Sequence, residues 1–188
     1  MSTGYVDVPH GTYSEWRSNT IGNAYDLDGS YGYGCQCWDY ASLFWRNVGF
    51  AAGYPLTGVN HYASECWTSS RFQNAGNQFD LITNKTAIQQ GDIIVLDGNS
   101  SNPPGHIAFA DEGYNGTDYI YAIGQNQGGT PLPEGGTAVT RNQLGLDLFL
   151  GAFRYKGWHS TPTPSSGGLR KKSKFPWVLY ANKLRNKY

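Results

Sequence analysis

Residues 33–39, Tyr-Gly-Cys-Gln-Cys-Trp-Asp, constrain the fold most, because an apolar helical repeat follows them directly. From Cys37 onwards, apolar side chains recur at the spacing of one helix face: Ala41, Phe44, Trp45 and Val48. The pattern predicts a tight turn that places Cys37 in the first turn of a buried helix. A helix N-terminus carries partial positive charge and unpaired N–H groups, which favour a thiolate over a thiol. Cys37 is therefore either a nucleophile or, like most free cysteines, a small buried apolar side chain.

Charge is distributed unevenly along the 188 residues, whose formal net charge is zero. Residues 1–168 hold all 14 acidic side chains and seven basic ones, and residues 169–188 hold the other seven basic ones. Proline, serine and glycine concentrate in residues 158–168, which is typical of a linker. We therefore expect one domain at residues 1–157, a linker at 158–168 and a basic, aromatic tail at 169–188 that is too short to fold alone.

The cysteines and the first residues bear on where the protein is made. Cys35, Cys37 and Cys66 are too few for a disulfide framework and lack the spacing of a four-ligand zinc site. The first residues lack the basic and then apolar pattern of a signal peptide, and no run approaches the roughly 18 apolar residues of a membrane span. We therefore expect a protein made in a cytoplasm without a signal peptide.

Turns rich in glycine, asparagine and proline separate short apolar runs in the second half of the chain. Besides the helix that begins at Cys37, helices are predicted over residues 12–20 and 61–71. Strands are predicted over residues 93–96, 105–110, 119–123, 137–140 and 149–155. Short strands that follow one another through tight turns favour an antiparallel sheet. The sequence thus predicts an α+β fold with N-terminal helices packed on an antiparallel β-sheet.

The sequence contains the three groups that a cysteine hydrolase needs: the thiol of Cys37, the imidazole of His106 and the amide of Asn126. Such an enzyme uses a thiolate, an imidazole that shares its proton and a third group that orients the imidazole. His106 is the best candidate among the four histidines, because it opens a buried strand. A lone histidine at a strand start is usually structural. Together with a cysteine at a helix start and an amide at a strand end, however, it favours the catalytic interpretation.

Four short segments resemble the CHAP domain, a papain-like family of amidases and peptidases frequent in bacteriophage endolysins and bacterial wall hydrolases. They are Tyr-Gly-Cys-Gln-Cys-Trp-Asp at 33–39, Gly-Asp-Ile at 91–93, Gly-His-Ile at 105–107 and Gln-Asn at 125–126. The resemblance covers roughly residues 10–156. It implies a papain-like CHAP fold and cleavage of an amide bond in peptidoglycan, with Cys37 as nucleophile and His106 as base.

The resemblance also implies two supporting roles. Gln36, just before the nucleophile, would help the Cys37 N–H to hold the oxyanion. In several family members a glutamate two residues before the asparagine orients the histidine, but this chain has Gly124 there. Asn126 is therefore expected to orient His106, as an amide does in papain-type enzymes.

Asp26-Leu27-Asp28-Gly29 has the alternating acids of a calcium loop, without the remaining ligands of an EF-hand. On its own it indicates a solvated turn. Some phage CHAP domains bind calcium through an Asp-x-Asp run before the cysteine and an aspartate two residues after it. The resemblance therefore implies Ca2+ at Asp26, Asp28 and Asp39. An alignment without a gap would instead place Asp28 and Ser30 at the first two positions.

The expected partner is bacterial peptidoglycan, and a protein of this kind would leave the host cytoplasm through a holin-type lesion. The tail suits an anionic wall polymer or membrane surface, although a disordered solubilising tail has the same composition. No organic cofactor and no nucleic acid are expected, and the chain is expected to be a monomer. Two alternatives remain: a cytoplasmic amidase acting on a small peptide conjugate, and a non-catalytic module that only binds cell walls.

Overall fold

The computed structural model describes residues 2–3, 6–27, 34–50 and 62–159. The tail, Asp28, His61 and the linker from residue 160 lie outside these ranges. The helices of the described chain are α1 (Tyr13–Thr20), α2 (Cys37–Asn47), α3 (Glu65–Thr68), α4 (Ser70–Gln73) and α5 (Lys156–His159), with a 3₁₀ turn at Lys85–Ala87. The strands are β1 (Ser2–Thr3), β2 (Tyr25–Asp26), β3 (Phe79–Ile82), β4 (Ile93–Leu96), β5 (His106–Ala110), β6 (Tyr119–Gly124), β7 (Thr140–Gly145) and β8 (Phe149–Tyr155).

Six of these strands form one sheet in the order β3-β8-β4-β5-β6-β7, and each neighbouring pair is antiparallel. The short strands β1 and β2 form a separate parallel pair. β4 is buried on both faces, and β5 is buried from Ile107 to Ala110, because these two strands occupy the middle of the sheet. The predicted α+β fold with an antiparallel sheet is confirmed.

Helix α2 lies against the central strand β5. Every residue from Cys37 to Trp45 is buried, so the helix is surrounded by protein rather than amphipathic in the usual sense. The ring of Phe44 packs edge-on against Phe109 of β5 at 5.2 Å, and Trp16 of α1 packs on Phe44 at 5.1 Å. Burial of an aromatic side chain contributes about 1.5–3 kcal/mol, and these rings hold α1 and α2 on the sheet. The N-terminus of α2 is thereby fixed beside the start of β5.

Helix α1 matches its prediction, because Thr12 caps it by accepting the Glu15 N–H at 3.1 Å. The helix predicted over 61–71 is wrong in part: Ser69 has an extended backbone and divides the segment into α3 and α4. The strand predicted over 137–140 begins only at Thr140 and runs on to Gly145. Strand β3 was missed, since only Phe79 in it is fully buried and its apolar pattern is weak.

The predicted domain boundary at residue 157 falls inside α5. The ring of Trp158 lies 4.5 Å from that of Phe44, and its Nε1 donates a hydrogen bond to the carbonyl of His10 at 2.9 Å. Trp158 therefore belongs to the folded domain, and the assignment of residues 158 and 159 to the linker is corrected. Within the described residues no helix is long and apolar enough to cross a membrane.

Candidate active site

Cys37 is the first residue of α2, and the residues just before it fix its position. Gln36 has an extended backbone and acts as the N-cap residue. The Asp39 carboxylate accepts the Gln36 N–H at 2.9 Å on one oxygen and the Leu27 N–H at 3.0 Å on the other. Gly34 has φ +64°, and a Cβ there would overlap the backbone of Glu134. The turn therefore delivers Cys37 to the helix start, as the sequence predicts.

Cys37 at the start of α2 and His106, the first residue of β5, interact and shift each other's pKa. Burial opposes ionisation of the Cys37 thiol. The facing charge of His106, its hydrogen bond and the Ile107 N–H outweigh burial, so the pKa of Cys37 lies below its ordinary value. Burial likewise opposes the charge on His106, but the Cys37 thiolate and the hydrogen bonds that the imidazolium donates to Cys37 and Gln127 raise the pKa of His106. Both shifts favour the thiolate–imidazolium form of the pair over the neutral form.

His106 is bonded on its far side by Gln127, with 3.0 Å between Nε2 and the amide oxygen Oε1. The Gln127 nitrogen donates to the backbone carbonyls of Ala122 at 2.9 Å and Thr140 at 3.1 Å. Because both donors point at carbonyls, it is the oxygen that faces His106, and the imidazole must donate Nε2–H to it. Nδ1 is then the nitrogen that serves Cys37.

Asn126 does not take the place expected from the sequence. It has φ 55°, the left-handed conformation, and its side-chain nitrogen donates to the Gln36 amide oxygen at 2.7 Å. This backbone turn directs the Asn126 side chain towards the start of α2, while the next residue reaches His106. The expected contact of Asn126 with His106 is therefore corrected, and Gln127 is the residue that the sequence reasoning missed.

Residues 125–127, here called the amide turn, thus serve three different elements. Gln125 is fully buried, accepts the Tyr25 N–H at 2.9 Å, and donates to the carbonyls of Tyr25 at 2.6 Å and Gln36 at 3.1 Å. Asn126 contacts the Gln36 side chain, and Gln127 contacts His106. The bond from Asn126 fixes the amide oxygen of Gln36, the residue directly before Cys37.

The pKa values of the other two cysteines, Cys35 and Cys66, are raised rather than lowered. Burial and the nearby carboxylates of Glu134, Asp26 and Asp39 raise the pKa of Cys35 to about 11. Burial raises the pKa of Cys66 still further, with a smaller contribution from Cys37. Of the three thiols, only Cys37 has a lowered pKa, which is the mark of a reactive cysteine.

The aspartates expected to bind calcium are described only in part. Asp26 and Asp39 are buried, and the bond from Leu27 N–H to Asp39 brings the latter beside the segment that carries Asp26. Both carboxylates also act electrostatically on Cys35. Asp28 lies outside the described residues. Among the described ranges, no group of three or more histidine, cysteine or acidic side chains is arranged to hold a metal ion.

A cysteine at a helix start, facing a histidine that an amide orients, is an arrangement that cysteine hydrolases use. Comparison with known proteins agrees with this class: residues 25–126 match the CHAP domain family. That match covers more than half of the chain and spans Cys37, His106 and Asn126. The chain belongs to the CHAP domain family.

Two kinds of relative were found. The D-alanyl-L-alanine endopeptidase of Streptococcus phage B30 is 37% identical over 122 residues, or 63% of this chain and 25% of that protein. The chain thus spans a quarter of that curated relative. The crystal structure of the wild-type endolysin LysIME-EF1 matches with a TM-score of 0.53 at 18% identity, over 79% of this chain and 64% of that one, and shows the common fold. Ly7917 matches with a TM-score of 0.48 at 22% identity, over 80% and 58%.

Proposed function

We propose that the chain is a peptidoglycan hydrolase of the phage-lysin kind, which cleaves an amide bond of the bacterial cell wall with Cys37 as nucleophile. The observation that carries this proposal is the placement of Cys37 at the start of α2 and of His106 at the start of β5, where each favours the charged form of the other. Membership of the CHAP family and the phage endopeptidase relative support the substrate class. The name of that relative makes a D-alanyl-L-alanine bond the first one to test in this chain.

In the proposed reaction the Cys37 sulfur attacks the carbonyl carbon and forms a C–S bond. The negative charge moves to the carbonyl oxygen, which accepts hydrogen bonds from the Cys37 N–H and the Gln36 side chain. Protonated His106 gives its proton to the departing amine as the C–N bond breaks, leaving a thioester. Water then attacks the thioester, His106 takes its proton, and the thiolate leaves. Each oxyanion donor contributes on the order of 10²–10³ in rate in comparable hydrolases.

We also propose that Asp26, Asp28 and Asp39 hold a Ca2+ ion that ties the segment after β2 to the start of α2. The bond between Leu27 N–H and Asp39 supports it, because it already joins the same two segments. Hard oxygen ligands of this type suit calcium. The ion would stabilise the position of Cys37 and take no part in the chemistry.

We assign the tail, residues 169–188, to attachment at an anionic wall polymer or membrane surface, on the basis of its seven basic side chains. We propose that a monomer acts at the wall after release from the host cytoplasm, without an organic cofactor. The sequence-based alternatives, an amidase for small peptide conjugates and a binding module without activity, are outcomes of the test.

The test is digestion of purified cell walls, with the new termini identified by mass spectrometry. We expect soluble fragments with one new amine and one new carboxyl terminus per cut, and none from Cys37→Ala. Cys35→Ala and Cys66→Ala are matched removals of a thiol and should keep activity. Lysis by folded Cys37→Ala would disprove the mechanism. Binding to walls without any fragments would favour the binding module, and cleavage of small peptides alone would favour the cytoplasmic amidase.

A further inference from the structure

The side chain of Gln127 fills a space next to His106 that a side chain at position 124 would also need. A Cβ built on Gly124 would overlap the amide oxygen of Gln127 and lie close to its amide carbon. The pairing of Phe109 with Ile123 puts Gly124 next to Ala108 across the two strands. His106 is two residues before Ala108 and therefore lies on the same face of β5. A side chain at position 124 would point into the place where the His106 partner now sits.

We propose that Gln127 is the positioning residue for His106, and that it reaches this place only because Gly124 leaves it empty. The inference rests on the proposed role of His106 as the base. Three hydrogen bonds support it: the 3.0 Å contact to Nε2 and the two bonds that clamp the Gln127 nitrogen to Ala122 and Thr140. A clamped amide holds the imidazole plane and reserves Nδ1 for Cys37.

A neutral amide has a different effect on His106 from a carboxylate. Both accept the Nε2–H bond, but only a carboxylate would add a negative charge that stabilises the imidazolium. Of the described groups that act on His106, Cys37 is the charged one and Gln127 is uncharged. The chain therefore sets the orientation of His106 with a dipole and leaves its charge to be balanced by the Cys37 thiolate.

The first measurement uses the unmodified protein with 15N-labelled histidine, and follows the ring nitrogens by NMR as pH rises. The His106 signal is assigned by its loss in His106→Gln. Above its titration midpoint, neutral His106 should carry its proton on Nε2, because Gln127 can only accept there. A neutral His106 with its proton on Nδ1 would overturn the inference without reference to any variant or substrate.

The second measurement compares variants by the same titration. Gln127→Met removes the acceptor and should lower the His106 midpoint by about one pH unit, the effect of one hydrogen bond to a charged group. Gln78→Met is the matched control, because Gln78 is also half-buried and donates to a backbone carbonyl, that of Val48, away from His106. A folded Gln127→Met with the wild-type midpoint would overturn the inference.

The third measurement exchanges the two positions. Gly124→Glu alone should lower the melting temperature, since its side chain collides with Gln127. Adding Gln127→Ala should relieve the collision, and the new carboxylate should raise the His106 midpoint above the wild-type value. Equal melting temperatures for Gly124→Glu with and without Gln127→Ala would contradict the shared space. If His106 behaves as expected while walls stay undigested, the proposed function fails and the positioning role stands.

Discussion

Substitution of Asn126 can remove a hydrogen bond to the Gln36 side chain without straining the backbone. The residue has φ 55°, so alanine would add about 1–2 kcal/mol of left-handed strain, whereas glycine adopts this conformation freely. Asn126→Gly thus removes little more than the 2.7 Å bond to the Gln36 oxygen. A single hydrogen bond of this kind contributes about 1 kcal/mol, and we expect wall hydrolysis to slow about fivefold. Asn126 is exposed, so the melting temperature should change little.

The assay is the initial rate of amine release from purified walls for wild type, Asn126→Gly, Gln36→Ala and the double variant. Gln36→Ala should lose on the order of 10²–10³ in rate. If Asn126 acts through Gln36, the double variant should be no slower than Gln36→Ala, because the side chain that Asn126 positions is gone. Rate losses that multiply in the double variant would refute this reasoning. The reasoning would also be refuted if Asn126→Gly hydrolysed walls as slowly as a variant that lacks His106.

Three further predictions concern stability and binding. Burial would raise the pKa of Asp111, but hydrogen bonds from Arg17, Arg141 and Tyr13 outweigh it and lower the pKa. The ionised Asp111 carboxylate should therefore stabilise the fold fully above about pH 4, and this stabilisation should be lost in more acidic solution. The melting-temperature difference between wild type and Asp111→Asn should shrink below that pH, and a constant difference would contradict the assignment. Ca2+ at a hundredfold excess over its Kd should stabilise the fold by about 2.7 kcal/mol; an unchanged melting point with chelator would exclude the site. Truncation after Gly168 should weaken wall binding, most at low ionic strength, and leave cleavage of a soluble stem peptide unchanged; equal wall binding at low salt would make the tail a mere solubilising segment.

Local patterns predicted the parts of the site that depend on neighbouring residues. The apolar repeat after Cys37 indicated a buried helix, and the apolar run after His106 indicated a buried strand, and both are present. The pairing of Cys37 with His106 followed from the groups that a cysteine hydrolase needs and from the resemblance, rather than from the spacing, because it joins residues far apart in sequence.

The residue that contacts His106, Gln127, could not be predicted from local sequence patterns, because two features of the backbone determine it. Gly124 leaves a space that no pattern reveals, and the left-handed turn at Asn126 sends that side chain to Gln36 rather than to His106. A signal was nonetheless present: Gly124, where the resemblance implies a glutamate in several family members, is followed by three amide side chains in a row. For the same reason the segment 61–71 was predicted as one helix, since its break at Ser69 is a matter of backbone angle and not of polarity.

The amide turn also decides which changes of length the chain can tolerate. Its three side chains reach the backbone of β2, the Gln36 side chain and His106, each from a fixed place in the turn. Replacing one of them removes one set of contacts, but inserting or deleting one residue between Gly124 and Gly128 would send all three to the wrong neighbours. Relatives should therefore vary in residue identity here far more readily than in loop length. A transplant of this site into another scaffold should carry residues 124–127 as one block.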